Sequence, residues 1–310
     1  MLSDRLSAAR GERWKNAASM SIGGGRIRAL EYSNNIVEQK MSVDSIFGGM
    51  IMTTINVPQN VPKSVSLPQG AKISVPAASA NITIHSKPTN ELTVSWRLRT
   101  GDASFVRVEI QTSGDAVINC SIQNRQPSTF IDLQLDVPAN SPLTIKTSGG
   151  SISLDKADAT VDAQTSGGAI EIGEGAADLT LHTSGGRITV GSAGRVGGRI
   201  NANTSGGNID LHSVSGSIPN ARTSGGNIAV ELLDPQPVAT LQTNGGTITV
   251  QVPDSASFQL HARTSGGNVH IDSVLYPGGY DHQGSYDGPI HGGAGGNISA
   301  VTSGGNITIR

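Results

Sequence analysis

A chain of 310 residues with a net charge of −2 and no long basic run has room for one large or two ordinary domains, and nothing in it suits nucleic acid or an anionic membrane. Forty glycines beside four Phe, four Tyr and two Trp exclude a thick core of large side chains, while the regular recurrence of β-branched residues excludes disorder. The single cysteine, Cys120, excludes an internal disulfide and thus a fold that depends on an oxidising compartment.

In chain order, residues 1–20 are polar and mixed in charge and read as a short helix or a disordered tail. They lack the apolar core of a secretory signal, and Asp4 and Glu12 do not suit a transit peptide. No apolar run approaches the length of a membrane span, so no membrane insertion is expected. On this reading the protein stays in the cytoplasm, or export uses a route that the chain does not display, or the signal lies outside this chain. Within residues 21–60, VDSIFGGMIMTTINV (43–57) reads as a strand pair, and residues 1–63 together read as a tail and cap. Pro58, Pro62, Pro68 and Pro76 then break pairing and mark an edge or linker.

Residues 64–141 contain four strand-like runs, KISVPAASANITIH, ELTVSWRL, FVRVEIQTSGDAVINCSI and FIDLQLDVP. Thr112-Ser113-Gly114-Asp115 resembles a decayed copy of the tetrapeptide that governs the rest of the chain, so this region reads as degenerate β-repeats.

Residues 142–310 are regular. TSGG begins at Thr147, Thr165, Thr183, Thr204, Thr223, Thr264 and Thr302, and a TNGG variant begins at Thr243. The spacings are 18, 18, 21, 19, 20, 21 and 38 residues, the last being two periods with one signature lost. Apolar residues precede each Thr by two positions, and a β-branched residue follows each second Gly by two. Ile145, Ile152 and Leu154 illustrate the pattern. This is the period-2 mark of strands with one buried face. The structural corner glycines are Gly149, Gly150, Gly167, Gly168, Gly185, Gly186, Gly206, Gly207, Gly225, Gly226, Gly245, Gly246, Gly266, Gly267, Gly304 and Gly305. Gly-Gly suits a corner in two ways: glycine adopts positive φ freely, and it lets stacked backbones approach closely. A phosphate-cradling loop would be followed by a helix, whereas here each copy is followed by a strand. The fold expected is all-β: a β-solenoid of about 20-residue repeats with Gly-Gly corners, with a two-sheet β-meander or sandwich as the alternative. Recurrence of Asn208, Asn227, Asn268 and Asn306 at one position favours the solenoid, where such residues form a ladder. The final SGGNITI runs directly into Arg310, so the last repeat is expected to leave an open strand edge.

Val137-Pro138 leading to Thr147–Leu154, and Val252-Pro253 leading to Thr264–Ile271, resemble the lead-in and repeat of a bacterial adhesin-like β-strand-repeat family, a domain of unknown function with TSGGxI repeats. The resemblance spans about residues 64–310. It implies a solenoid-like fold and an adhesive surface role, and it transfers no catalytic or binding residues. The missing signal or anchor sets this chain apart from exported relatives.

Few residues carry recognisable chemistry. Glu171 and Asp210 fall two repeats apart in an outward column, about 9.6 Å in a solenoid, which is near the spacing of an inverting glycosidase pair. Nothing around them would raise one pKa or bind a sugar, so two carboxylates in a solvated column is the favoured reading. Residues 275–296, LYPGGYDHQGSYDGPIHGGAGG, break the pattern and gather Tyr276, Tyr280, Asp281, His282, Tyr286, Asp287 and His291. Loops that interrupt solenoids often bind partners, so these are the candidate partner-binding residues, against the plainer reading of a Gly-rich surface loop. On the binding reading, Tyr280→Ala with Tyr286→Ala leaves stability near wild type. His282 and His291 lack metal-ligand spacing, and no metal or cofactor is expected.

The function expected is a non-enzymatic structural or interaction protein, an adhesin-like rod showing polar faces to a protein, a glycan or a copy of itself. A self-assembling cytoskeletal-type filament joined end to end through the C-terminal repeat is the alternative. A polysaccharide-active β-helix enzyme or an ice-binding solenoid is weaker still.

Overall fold

The structure is a computed structural model that describes residues 19–22, 25–28, 46–47, 50–51, 53–123, 128–191, 195–293 and 295–310. The chain divides into two compact units, Met1–Gln39 and Lys40–Arg310. In the first, Ser19–Ile22 pairs antiparallel with Gly25–Arg28. Most of the tail expected over residues 1–20 lies outside the described residues. In the second, Ile46–Phe47 pairs with Met50–Ile51, the strand pair expected in 43–57.

The rest of the second unit is a two-sided β-solenoid. Each rung has a strand before the TSGG corner and a strand after it. In the first column Leu143–Thr147, Val161–Thr165, Leu179–His182, Arg199–Asn203, Ser217–Arg222 and Val238–Gln242 pair in parallel, each with the next. In the second column Ile152–Ala157, Ile170–Gly175, Ile188–Val190, Ile209–Val214, Ile228–Leu232 and Ile248–Gln251 do the same. Inward positions of both columns merge into one core. Ile145, Ile170, Leu181, Ile209, Ile248 and their equivalents are almost wholly buried. Alternation with outward Ser, Thr, Asn and charged residues follows from the two-residue pleat. Burying each such aliphatic side chain contributes roughly 1.5–3 kcal/mol.

The corner explains its own sequence. Each motif Thr is buried, and from Thr165 onward its hydroxyl donates to a glycine carbonyl of a neighbouring rung. Thr165 Oγ1 reaches Gly150 O at 2.7 Å, and Thr223 Oγ1 reaches Gly207 O at 2.8 Å. The same oxygen accepts from the second Gly of its own corner, as from Gly226 N at 3.2 Å. The second Gly is required by close approach. A Cβ on Gly168 would lie 2.1 Å from Gly150 O. None of the motif glycines has positive φ, so the expectation that the corners need left-handed backbone is corrected: stacking, not handedness, selects glycine there. Asn208 Oδ1 accepts from Asn227 N and Asn227 Oδ1 from Thr247 N, both at 2.9 Å, and Asn306 Oδ1 accepts from Asn268 N at 3.0 Å. The Asn column is thus a ladder, interrupted by Thr247.

Both ends of the stack depart from chain order. At the C-terminal end, the rung Gly296–Thr302 and Ile307–Ile309 does not lie outermost. It is inserted between the rung 238–251 and the long strand Phe258–Ile271, pairing in parallel with both. Tyr280–Ile290 then runs antiparallel along Phe258–Ile271 and closes the stack. The expected open edge at the last repeat is therefore corrected, and with it the premise of end-to-end growth through that rung. The 38-residue interval hides this closing strand and not a decayed rung.

The N-terminal end uses the same inversion. Ile73–Pro76 and Ala80–Lys87 pair with the rung 143–157 on one side, and with Ala116–Ile122 and Phe130–Pro138 on the other. Beyond these lie antiparallel strands. Val106–Thr112 pairs with Ala116–Ile122, and Glu91–Thr100 pairs with Phe130–Pro138. Thr53–Asn56 and Lys63–Ser66 pair outside them in turn. Thr112–Asp115 is consequently a hairpin turn with Gly114 at φ 100°, not a decayed corner. The true glycine-free corner is at 77–80, where Ala80 O accepts from Thr147 Oγ1 at 3.0 Å.

Candidate functional site

A polar groove lies on the outer surface at the N-terminal end of the second column. Outward residues of four strands line a groove of ≈ 1310 Å³: Thr93, Ser95, Arg97 and Arg99; Asp132, Gln134 and Asp136; Asn81 and Thr83; Ser153. Asn60 and Pro62 also border it. The pairing of Glu91–Thr100 with Phe130–Pro138 slips at Phe130/Ile131, so that Phe130 faces Thr100 while Ile131 faces Leu98. Arg99 is the extra residue of this bulge. Arg97 and Arg99 share the outward face through the two-residue period of the strand, and both reach one carboxylate.

Asp132 is the hub. It accepts from Arg97 Nε at 2.9 Å, from Arg99 Nη1 at 3.5 Å and from Asn81 Nδ2 at 2.9 Å. Partial burial works to raise its pKa, but the hydrogen bonds from Asn81 and Arg97 and the charges of both arginines outweigh it and hold the carboxyl below the usual aspartate value. The two arginine side chains stay 74% and 59% exposed. Asn81 also passes order to the next rung, its Oδ1 accepting from Ser151 N at 3.1 Å. The arrangement can hold an anionic or hydroxyl-rich ligand: fixed guanidinium donors beside Thr, Ser and Gln side chains. Sequence reading missed it because Arg97, Asp132 and Asn81 meet only through one antiparallel and one parallel pairing across 51 positions of chain. The alternation in SWRLRT and FIDLQL marks the outward residues but not which of them meet.

The residues singled out in 275–296 have a different setting. The stretch is not an irregular loop, since Tyr280–Ile290 is the closing strand. Tyr276, Tyr280 and Tyr286 form a triangle of edge-to-face rings with centroids 5.0–6.0 Å apart, and all three pack half-buried against the core. His282 lies beside Tyr280 at 4.6 Å. Burial and the neighbouring phenols raise the Tyr286 pKa. Asp281 and Asp287 face histidines of the adjacent strand: Asp287 Oδ1 lies 2.9 Å from His261 Nδ1, and Asp281 Oδ2 lies 3.7 Å from His270 Nδ1. His291 sits at φ 44°, its two ring nitrogens each 3.1 Å from the carbonyls of Ala256 and Val274. All seven are thus brought to one end of the stack, where tyrosines plug the core and histidines pin the closing strand.

Glu171 and Asp210 stand two rungs apart with Thr189 between them, as the register 171–189–210 requires. Arg187 Nε lies 3.4 Å from Asp210 Oδ2. Cys120 is buried, and desolvation pushes its thiol up to about 11. Among the described residues no group of three metal-ligating side chains occurs, and no helix is long and apolar enough to cross a membrane.

Comparison with solved structures finds weak likenesses. A candidate adhesin from Bacteroides fragilis shares 12% identity at a TM-score of 0.39, over 80% of this chain and 95% of the other. A candidate adhesin from Parabacteroides merdae shares 13% at a TM-score of 0.37, over 80% and 95%. A candidate cell adhesion protein from Clostridium sporogenes shares 13% at a TM-score of 0.23, over 80% and 97%. A search of curated proteins gives no significant match. The profile of one family covers residues 34–310, which include the whole solenoid-bearing unit, and on that match the chain belongs to the Toastrack DUF4097 family.

Proposed function

We propose that this protein is a non-enzymatic, adhesin-like binding module whose polar groove at the N-terminal end of the second column takes an acidic glycan. The observation that carries the reading is the pair Arg97 and Arg99, both anchored on Asp132 within a groove of ≈ 1310 Å³. Paired guanidinium groups recognise carboxylate and sulfate through fork-shaped donor sets, and the flanking hydroxyl and amide side chains suit sugar hydroxyls. Support for a non-enzymatic role comes from the acidic pair Glu171 and Asp210. They lie on a strand face with Thr189 between them and Arg187 beside Asp210, a setting without the enclosed site that acid–base cleavage of a sugar needs. The adhesin-like role is the one implied by the repeat resemblance.

A glycan array tests the reading. Wild type should bind uronate- or sulfate-bearing glycans in preference to neutral ones, with binding that weakens as salt rises. Arg97→Ala with Arg99→Ala should lose at least about tenfold of that binding, roughly one charge-assisted contact. Equal binding by the double variant, or a preference for neutral glycans, would refute the assignment. Turnover of a polysaccharide that disappears in Glu171→Gln would overturn the non-enzymatic reading.

A further inference from the structure

The rung formed by residues 296–310 has two neighbours that could have met each other directly. The rung 238–251 and the strand 258–271 carry the same pattern of inward apolar residues, motif Thr and Gly-Gly corner, and follow one another in sequence. Yet the chain leaves a gap of one rung between them and returns to fill it. Contacts on the two sides are equivalent. Toward the first rung, Thr302 Oγ1 donates to Gly246 O at 2.8 Å and Ile248 N donates to Asn306 O at 2.9 Å. Toward the second, Thr264 Oγ1 donates to Gly305 O at 2.7 Å and Asn268 N donates to Asn306 Oδ1 at 3.0 Å. Arg310 N donates to Val250 O at 3.0 Å, and Val252 N donates to Arg310 O at 2.9 Å.

Every one of these contacts is non-covalent. What makes the segment this molecule's own is the connection from Ile290, and that connection turns on glycine: Gly292, Gly293 and Gly295 have φ of 87°, 69° and 87°. The slot is about two strand spacings wide, roughly 9.6 Å, and is walled by strands already paired on their far sides. Elsewhere the solenoid discourages association through its edges. The closing strand Tyr280–Ile290 carries Asp281, Asp287 and Pro289 on its outer face, devices that block edge pairing.

We propose that the slot between residues 238–251 and 258–271 is an acceptor site for the 296–310 segment of a second copy of this chain, so that two chains exchange these rungs and form a reciprocal dimer. The exchanged segment keeps all the contacts above, so the free energy cost is that of replacing a tethered partner by a free one. A short tether supplies an effective concentration on the order of 1 mM, and the dimer becomes substantial as protein concentration nears that value during folding.

The test uses full-length chains. Thr240 and Ser299 are direct partners on the outer face of the first column. One chain carries Thr240→Cys and the other Ser299→Cys. The native Cys120, buried and with its thiol raised to about 11, stays out of the reaction. The two are refolded together near millimolar concentration, oxidised and separated by size. A covalent mixed dimer, absent when either variant is refolded alone and at least about tenfold more abundant than after refolding at micromolar concentration, is the expected result. A single chain carrying both substitutions, refolded and oxidised at micromolar concentration, should close its disulfide internally and stay monomeric, showing that the register is right. If that double variant closes internally while the mixed sample gives no covalent mixed dimer, or gives dimers lacking the 240–299 disulfide, the proposal is wrong.

Discussion

Two adjacent glycines in one corner should respond oppositely to the same substitution. In Thr223-Ser224-Gly225-Gly226, a Cβ on Gly226 would lie 2.0 Å from Gly207 O and 2.4 Å from Gly207 C, whereas a Cβ on Gly225 would meet nothing nearer than Ser205 O at 3.8 Å. An ordinary carbon–oxygen contact is about 3.3 Å, so Gly226→Ala forces the two corners apart by more than about 1 Å. The bonds crossing that corner include Thr223 Oγ1 to Gly207 O at 2.8 Å, Gly225 N to Ser205 O at 3.0 Å and Asn227 N to Asn208 Oδ1 at 2.9 Å. Overpacking costs about 1–3 kcal/mol, and loss of two such bonds adds about 1 kcal/mol each, giving roughly 3–5 kcal/mol. Gly225→Ala, with no positive φ to oppose it, should lie between neutral and about 1 kcal/mol stabilising through the unfolded chain. Thermal unfolding followed by circular dichroism should show a fall on the order of 10 °C for Gly226→Ala and none for Gly225→Ala. Equal losses at the two positions, or a neutral Gly226→Ala, would refute the close-approach account of the motif.

Two further outcomes follow from the ends of the stack. Tyr280→Ala with Tyr286→Ala should destabilise, against the expectation from sequence, because the rings plug the core. A loss of roughly 3 kcal/mol is expected for two half-buried rings, read by hydrogen exchange as lost protection in 258–290 with 143–232 retained. Protection unchanged at 258–290 would return the tyrosines to the role of a contact surface. For Asp132, the folded-state pKa lies below the unfolded one, so its stabilisation is fully present above about pH 4 and is lost as pH falls through the folded value. Because the partner arginines are largely exposed, the effect is at most about 1 kcal/mol, and Asp132→Asn should remove it at pH 7 while narrowing its gap to wild type by pH 3 in urea titrations. A gap that widens on acidification would reverse the sign of the argument.

The middle of the fold was legible because each rung repeats the same local problem. Ile152, Ile170 and Ile188 fall at one inward position, and the Thr and second Gly answer a stacking constraint that recurs at every corner. The reason assigned to glycine was half right, since close approach operates and positive φ does not. What could not be read was any feature decided by non-sequential pairing. Nothing local in GGNISAVTSGGNITI says that it enters between two earlier rungs, and Thr112–Asp115 matches the motif while lying in a hairpin. The same holds for Arg97, Arg99 and Asp132, whose meeting depends on a strand pairing that composition does not announce.

Closure of both ends by inversion leaves one stretch, residues 143–251, where rungs follow one another in simple succession. Beyond the rung 143–157, whose Ser153 borders the groove, a rung added or removed touches neither the groove nor the tyrosine plug, and shifts their separation by about 4.8 Å. The solenoid thereby acts as a ruler with fixed fittings: its two ends are specified once, and the distance at which it holds them is graduated in single repeats.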